Sequence, residues 1–383
     1  MLNESLNVCV LGLGKVGLPL ASYLGWRGHK VYGFDSNPDI TKRLMAGEST
    51  LPWEPRIYLE KITVRDSLEG ALDKSELVYI IVPTPMEDGN RLSSEFVRRA
   101  REGVEKCWSG TIVIGSTLDP RDAGDVCDAS HVVYNPPLIR LGHVFEDLRD
   151  MSVLLIGQRA VYAQRWVEWL WMHNARVVVG DPESIAVAKL AINVSLSMRI
   201  AWANELADVC RRYRVSDTVV LEAVRSDPRL GRGYLGVGFP PGGPCLPRDL
   251  EVWTQLGSPM AEAVQHRHED ERIERVRALM STISAAGTPR LAILGLVYKA
   301  GAVDCTETLG MCLAREAKRR GWEFRVYDPA QFYLPQDELE GLPLAVTAEA
   351  AIQDATDVVI TADWPEFHGL DLSGKCVFNL GDR

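Results

Sequence analysis

A chain of 383 residues has room for two or three domains, and 46% hydrophobic with 25% charged residues excludes a disordered or fibrous protein. The formal net charge of −10 argues against general binding to nucleic acid or anionic membrane, but leaves room for a phosphorylated small molecule held by a local cluster of donors. Residues 1–7 lack a basic n-region and no apolar run reads as long enough to span a bilayer, so a cytoplasmic enzyme without a signal peptide is expected.

In chain order, residues 7–11 read as a buried strand, followed at once by Gly12-Leu13-Gly14-Lys15-Val16-Gly17 and an apolar-periodic helix to about Arg27. Residues 31–34 form the next strand, ending in Asp35. Strand, glycine fingerprint, helix, strand and acidic residue are the context a dinucleotide site requires. Gly12 would make the tight turn, Gly14 would let the backbone approach a pyrophosphate, and Gly17 would allow close helix–strand packing. Lys15 and Val16, in the same loop, are counted with the cofactor site. Asp35 would bind a ribose hydroxyl and repel a 2′-phosphate, so NAD is expected over NADP.

Strands at 77–82, ending in Pro83-Thr84-Pro85, and at 111–114, ending in Ser116-Thr117, continue the pattern, with 131–134 and 152–157 completing the sheet. Ligands bind beyond the carboxyl ends of such strands, so Pro83, Thr84, Ser116 and Thr117 are candidate cofactor contacts. The alternative for each Ser or Thr is a turn or a helix cap.

Residues 182–213 read as one long helix with no proline or glycine after its first residue. Lys189 and Asn193 share a face at i,i+4 spacing, and their small apolar neighbours favour partial burial of the lysine, which then needs a partner or a task. Apolar groups including Trp202 on more than one side suggest a helix buried all round, with a homodimer interface as the expected use. Arg229-Leu230-Gly231-Arg232-Gly233-Tyr234 then leads into Gly238-Phe239-Pro240-Pro241-Gly242-Gly243-Pro244-Cys245-Leu246-Pro247-Arg248-Asp249. Glycines let backbone approach a ligand and prolines stiffen the loop. A thiol there, in a chain with a dinucleotide site, suggests oxidation through a covalent thio-intermediate; an inert buried cysteine is the alternative. The other seven cysteines are scattered, with no C-x-x-C pair and no histidine at metal spacing, so no metal site is expected.

Segment 262–277 carries Glu269, Asp270, Glu271 and Arg272 and reads as a solvated helix face. From 289 an α/β pattern restarts: strand 291–294 ending in Gly295-Leu296-Val297-Tyr298-Lys299, helix 308–320, strand 323–327 with Asp328, and strand 358–361 before Trp364-Pro365-Glu366-Phe367. It resembles half of another nucleotide-binding fold without the full glycine fingerprint, so no second NAD is assigned. The expectation is an α/β protein: a Rossmann-type doubly wound domain at 1–180, a central long-helix dimerisation domain with the cysteine loop at 181–285, and a Rossmann-like domain at 286–383.

These pieces in this order resemble the UDP-glucose/GDP-mannose dehydrogenase family over nearly the whole chain. The residues that carry the resemblance are Gly12 with Gly14, Gly17 and Asp35, Glu54-Pro55, Ser116-Thr117, Asn135-Pro136, Lys189 with Asn193, Arg229-Leu230-Gly231, Gly242 with Cys245 and Asp249, Gly295 with Lys299, and Trp364-Pro365-Glu366-Phe367. The resemblance implies oxidation of the C6 alcohol of a nucleotide sugar to an aldehyde and then an acid, with two NAD. Cys245 would attack the aldehyde, Lys189 and Asn193 would stabilise the oxyanion, Asp249 would be a base or orienting group, and Thr117 would help hold the water. Arg229 matches an arginine that reaches the partner subunit's substrate, which implies a homodimer. Lys299 matches a lysine of the nucleotide-sugar site, and Tyr234, Gly242 and Arg383 are counted with it.

The family usually reads Asn-Pro-Glu-Phe-Leu-x-Glu where this chain has Asn135-Pro136-Pro137-Leu138-Ile139-Arg140-Leu141, so both glutamates are absent. Pro240, Pro241 and Pro244 alter the thiol loop, and the third domain's usual arginine is Thr306. Losing a general base costs on the order of 10²–10⁴ in rate. Glu146 or Asp147 are substitutes to consider. Two other readings stay open: a catalytically impaired paralogue that binds NAD and nucleotide sugar, and a β-hydroxyacid-type dehydrogenase, which needs neither the cysteine loop nor a third domain.

Overall fold

The computed structural model describes residues 5–51, 54, 56–87, 91–159, 167, 170–171, 175–284 and 289–381. It divides into two compact units, residues 1–191 and 192–383.

The first unit is built on a sheet of eight strands: β1 (Asn7–Leu11), β2 (Lys30–Phe34), β3 (Ile62–Val64), β4 (Leu77–Ile80), β7 (Thr111–Ile114), β8 (Val132–Tyr134), β9 (Val153–Gln158) and β10 (Arg176–Gly180). A separate two-stranded ribbon pairs β5 (Met86–Glu87) with β6 (Arg91–Leu92). The order across the sheet is β10-β9-β8-β7-β4-β1-β2-β3, parallel throughout except where β8 meets β9. The chain runs β1 to β3 on one side, then crosses to β4 on the other side of β1. The crevice beyond β1 and β4 is the switch point where such sheets bind ligands. Strands of a sheet covered on both faces read as continuous apolar runs, and all four residues of β4 and of β7 are buried. Leu18, Leu20, Tyr23 and Leu24 of the helix Gly17–Trp26 pack with Val8 and Val10 of β1 and Tyr79 of β4. Tyr23 stacks on Trp171 and meets Phe145 edge-on, with centroids 5.9 and 5.3 Å apart.

The second unit carries a smaller parallel sheet of four strands, β11 (Arg290–Leu294), β12 (Glu323–Tyr327), β13 (Asp357–Ile360) and β14 (Cys376–Asn379), in the order β12-β11-β13-β14. It too reverses direction beside its first strand. The helices Asp217–Ser226, Leu246–Gln255 and Pro259–Ser284 precede it. Val194, Leu250 and Ala261 form a small apolar core between the long central helix and the last two of these. The α/β class with two Rossmann-type sheets and a long intervening helix is therefore observed.

Four expectations change. The strand expected at 77–82 ends at Ile80: the Ile81 N–H still donates to Leu11 O at 2.8 Å, but the N–H and C=O of Val82 turn to the Ser116 hydroxyl. The central helix Pro182–Tyr213 matches its expected bounds but is not buried all round: Val187 and Trp202 are 40% and 52% exposed. By length and composition alone this helix could cross a membrane, with a mean hydropathy of 1.4 over its most apolar 18 residues, contrary to the expectation that no such run exists. Polar residues interrupt its apolar ones, which hides the run, yet Lys189, Ser197 and Asn204 are buried within the protein. The charged stretch on Pro259–Ser284 is not wholly a solvated face. Glu269 and Asp270 are exposed, but Glu271 is buried and ion-paired to Arg267 and Arg275. Those arginines also reach Asp208 and Asn204 of the central helix, partners that local periodicity does not show.

Candidate functional site

The dinucleotide half lies in the first unit. Gly12 has φ +89°, and a Cβ there would sit 1.9 Å from the Ile81 carbonyl oxygen, so only glycine fits the turn. A Cβ at Gly17 would lie 1.8 Å from the Gly12 oxygen, which is the close helix–strand packing expected of the third glycine. A Cβ on Gly14 would meet nothing within 4 Å, so its backbone faces open space that a ligand can approach. Three glycines thus serve three different needs, and the arrangement fits a dinucleotide pyrophosphate at the N-terminus of Gly17–Trp26. Asp35 ends β2 half-buried; its Oδ2 accepts the Leu13 N–H at 2.7 Å and its Oδ1 the Asn37 N–H at 2.8 Å. Each oxygen keeps a lone pair for a ribose hydroxyl.

Lys15, Val16 and Pro83 border this loop region with Lys15 and Pro83 exposed. Thr84 is 8% exposed. The Ser116 hydroxyl accepts from the Val82 N–H at 2.9 Å and donates to the Val82 oxygen at 2.8 Å. It therefore ties the end of β7 to the segment after β4 and keeps one lone pair for a ligand. Thr117, next to it, is half-buried.

The thiol half lies in the second unit. Cys245 is the N-cap of the helix Leu246–Gln255, where unpaired N–H groups and the helix dipole favour negative charge. Its side chain is partly exposed. Asp249, one turn on, is fully buried. Its Oδ2 accepts from Asn193 Nδ2 at 2.6 Å, and its Oδ1 accepts from Arg248 at 2.8 and 3.0 Å. A buried carboxylate needs such partners. Asp249 is thus bonded to Asn193, with Arg248 as its counter-ion. Lys189, one helical turn before Asn193, is 6% exposed.

The glycine-rich loop is braced at three places. Asn204 brackets Gly238, accepting its N–H and donating to its oxygen, each at 3.0 Å. The Gly243 N–H donates to the Thr306 oxygen at 2.8 Å. A Cβ on Gly242 would stand 2.9 Å from that same oxygen, and Gly243, at φ +85°, lies against the Tyr298 ring. Lys299 holds its ammonium 5.6 Å from the centre of that ring. The structure therefore brings Cys245, Asp249, Asn193, Gly242 and Lys299 into one braced neighbourhood. Arg229 projects from the preceding loop, 86% exposed and paired with Asp227, and Tyr234 has φ +60°. Arg383, with Pro55, lies outside the described residues.

The segment that lacks the two glutamates is apolar at both positions, with Leu141 buried. Asn135 is a structural group: its Oδ1 accepts from Trp171 Nε1 at 2.9 Å and from the Tyr79 hydroxyl, while its Nδ2 donates to Leu155 O at 2.6 Å. Asp147 is held by both the Arg140 guanidinium and its backbone N–H, at 2.6 Å each. Glu146 pairs with Arg56 at 3.3 Å through one oxygen. Its other oxygen is buried without a partner among the described residues.

Sequence reading missed three residues that hold the site: Arg248, Asn204 and Arg199. Arg248 stands in the quoted motif beside the residue it neutralises, so its role had a signal. Asn204, on Gly238, and Arg199, which donates to the carbonyls of Leu230, Gly231 and Gly233, act on loops some thirty residues away and had none.

Three domain families match in order: the NAD binding domain of the UDP-glucose/GDP-mannose dehydrogenase family over residues 6–175, its central domain over 183–268, and its UDP binding domain over 292–378. The chain is 25% identical to UDP-glucose 6-dehydrogenase TuaD of Bacillus subtilis, over 96% of this chain and 85% of that one. It is 24% identical to UDP-glucose 6-dehydrogenase AglM of Haloferax volcanii, over 96% and 93%. The structure of a UDP-glucose dehydrogenase from Pyrobaculum islandicum superposes with a TM-score of 0.85 at 28% identity, covering 99% of this chain and 94% of that one. With the glycine turn, the Lys189/Asn193 helix and the Cys245 loop in place, the chain belongs to the UDP-glucose/GDP-mannose dehydrogenase family.

Proposed function

We propose that this chain is an NAD-dependent nucleotide-sugar 6-dehydrogenase that takes the C6 alcohol of a UDP-hexose to the acid. The observation that carries the reading is the Cys245 thiol at a helix N-terminus, one turn from a buried Asp249 that is bonded to Asn193. In balance, R–CH₂OH, two NAD⁺ and water give R–COOH, two NADH and two H⁺. Gly12, Gly14, Gly17 and Asp35 would hold the NAD, which when bound accepts a hydride at each oxidation.

The residues divide the remaining work. Lys189 and Asn193 stabilise negative charge on the C6 oxygen, first as the alcohol gives its proton up to water, one of the two H⁺ in the balance, and again at each tetrahedral stage. An aldehyde has no hydride to give until a nucleophile makes its carbon tetrahedral, and Cys245 supplies that nucleophile by forming the C–S bond. Loss of hydride leaves a thioester on Cys245. Water then adds to the thioester carbon, the C–S bond breaks and the thiol returns. Asp249 fixes the Asn193 amide so that its donors point consistently, and Thr117 supports the water. Lys299, Tyr234, Gly242 and Arg383 serve the nucleotide-sugar side. Exposed Val187 and Trp202 on the central helix, with Arg229 extended into solvent, support a homodimer in which Arg229 reaches the partner's substrate.

A second reading keeps one observation in its favour. Both usual glutamates are apolar here, and Glu146 and Asp147 are ion-paired. On that reading the thioester forms and water attack is slow. The test is to incubate the protein with NAD⁺ or NADP⁺ and UDP-glucose, UDP-N-acetylglucosamine, UDP-N-acetylmannosamine or GDP-mannose. Sustained NADH from one UDP-sugar is expected. A burst equal to the enzyme concentration would favour stalled hydrolysis, and tight sugar binding with no NADH would replace the enzyme with a binding paralogue.

A further inference from the structure

Arg199 lies on the central helix, six residues beyond Asn193, and its three guanidinium nitrogens reach three separate carbonyls of one loop. Nε donates to Gly233 O at 2.7 Å, one terminal nitrogen to Leu230 O at 2.9 Å and the other to Gly231 O at 2.9 Å. Bonds from the Leu230 and Gly231 N–H groups to Asp227 O, at 3.0 and 3.2 Å, close only the start of the loop. Gly231 has φ +68°, and Tyr234, with a Cβ, has φ +60°, a conformation that costs an L-residue about 1 kcal/mol or more. Arg225 adds a bond to Leu235 O at 2.8 Å, beyond the stretch that Arg199 gathers.

In a planar trans peptide the C=O and the following N–H point in opposite directions. Carbonyls 230, 231 and 233 converge on Arg199, so the N–H groups that follow them are turned away from it; that of Gly231 closes a turn on Asp227 O at 3.2 Å, and those of Arg232 and Tyr234 are the ones presented outward. The Arg229 guanidinium leaves from the same turn, 86% exposed. Six helical residues span about 9 Å. One rigid helix therefore carries both Asn193, bonded to Asp249 beside the thiol, and the clamp on the Arg229–Tyr234 loop.

We propose that Arg199 is a positioning residue for substrate, presetting the loop that presents Arg229, Tyr234 and its outward N–H groups to the nucleotide sugar. The proposal rests on the reading above in which that loop touches the sugar nucleotide. Lysine does not replace the clamp, because an ammonium is a point donor without the planar fork that serves three carbonyls at once.

The test uses the full-length protein with Arg199→Ala, Arg199→Lys and Arg229→Ala, on whichever nucleotide sugar is turned over. For Arg199→Ala the expected result is a KM for the sugar raised on the order of 10–100-fold, as for other losses of positioning. The fall in kcat should be smaller and NAD affinity unchanged. Arg199→Lys should fall between. Millimolar guanidinium should lower the raised KM of Arg199→Ala, while sodium chloride at the same ionic strength should not. An unchanged KM in Arg199→Ala would overturn the proposal. So would a raised KM that guanidinium leaves untouched and that comes with an equal loss of NAD affinity, the pattern of general destabilisation. Arg229→Ala separates the two levels: if it leaves KM unchanged, the reading of the loop itself fails, whatever Arg199 does.

Discussion

Around Gly12 and around Gly295 the chain builds the same knot of backbone. Each glycine closes a strand, donates its N–H to the last residue of the neighbouring strand (Phe34 O at 2.9 Å, Tyr327 O at 2.8 Å) and has a positive φ. A Cβ on Gly12 would strike Ile81 O, and one on Gly295 would stand 2.7 Å from Ala362 N, in each case the segment beyond the strand on the other side of the switch. A second glycine packs the following helix onto the first: a Cβ at Gly17 would lie 1.8 Å from Gly12 O, and one at Gly310 would lie 2.0 Å from Gly295 O. The residue after each first glycine donates to an aspartate that ends the next strand, Leu13 to Asp35 and Leu296 to Asp328, at 2.7 and 2.6 Å.

The difference lies in what each unit leaves open. Asp35 is half-buried with two N–H partners, whereas Asp328 is fully buried and also takes the N–H groups of Val297 and Ala330 and the Trp364 indole. Four residues lie between Gly12 and Gly17, with Gly14 facing open space; fourteen lie between Gly295 and Gly310, and the extra loop carries Lys299. On the proposed function, one scaffold would serve as a cofactor cradle where its carboxylate remains available. Where the carboxylate is consumed, it becomes a latch for a longer loop.

The largest expected effect breaks both knots. Gly17→Ala and Gly310→Ala should each destabilise by about 3 kcal/mol or more, because backbone has to move to admit the methyl group. Denaturant melts measure this. In whatever fraction stays folded, Gly17→Ala should lose NAD affinity while Gly310→Ala loses nucleotide-sugar affinity. Equal loss of both ligands in both variants would sink the division of labour.

Next in size is a reference point outside both knots. Burial pushes His268 down to about 4, so the unfolded chain takes up its proton below its ordinary 6.5 while the folded chain resists. Its contribution is present in full above pH 6.5 and is lost as pH falls toward 4, by about 3 kcal/mol in all. Melts of His268→Gln should show a smaller stability loss over that window; an unchanged pH profile would assign the acid sensitivity elsewhere.

The two aspartates should respond in opposite ways. Asp328→Asn should cost about 1–3 kcal/mol through unmatched buried donors, with no change in NAD over NADP preference. Asp35→Asn should cost less and relax that preference, measured as the ratio of kcat/KM for the two cofactors. Smallest in stability is Gly14→Ala, which should leave melting within about 1 kcal/mol yet weaken NAD, since its methyl group enters only the open space. NAD affinity equal to that of the parent would remove Gly14 from the cofactor site.

Much of this was legible because it is local. The strands at 111–114 and 323–327 and the helix at 182–213 came out with their observed bounds, since buried strands read as apolar runs and the helix has no internal breaker. The fingerprint glycines declared themselves by spacing. What stayed hidden depends on distant partners. Glu271 reads as solvent-facing until Arg267 and Arg275 are seen to bury it. Asp328 reads as the end of a strand until four donors converge on it, and nothing in the sequence singles out Arg199 before the loop thirty residues later is seen to fold back onto it.

The central claim is that Cys245 carries the second oxidation. The direct measurement counts NADH formed per nucleotide sugar consumed, for the parent chain and for Cys245→Ala. The account predicts two NADH per sugar in the parent and, in the variant, loss of the second with no acid formed. One NADH per sugar in the parent, indifferent to Cys245→Ala, would contradict it and return the chain to simple alcohol oxidation.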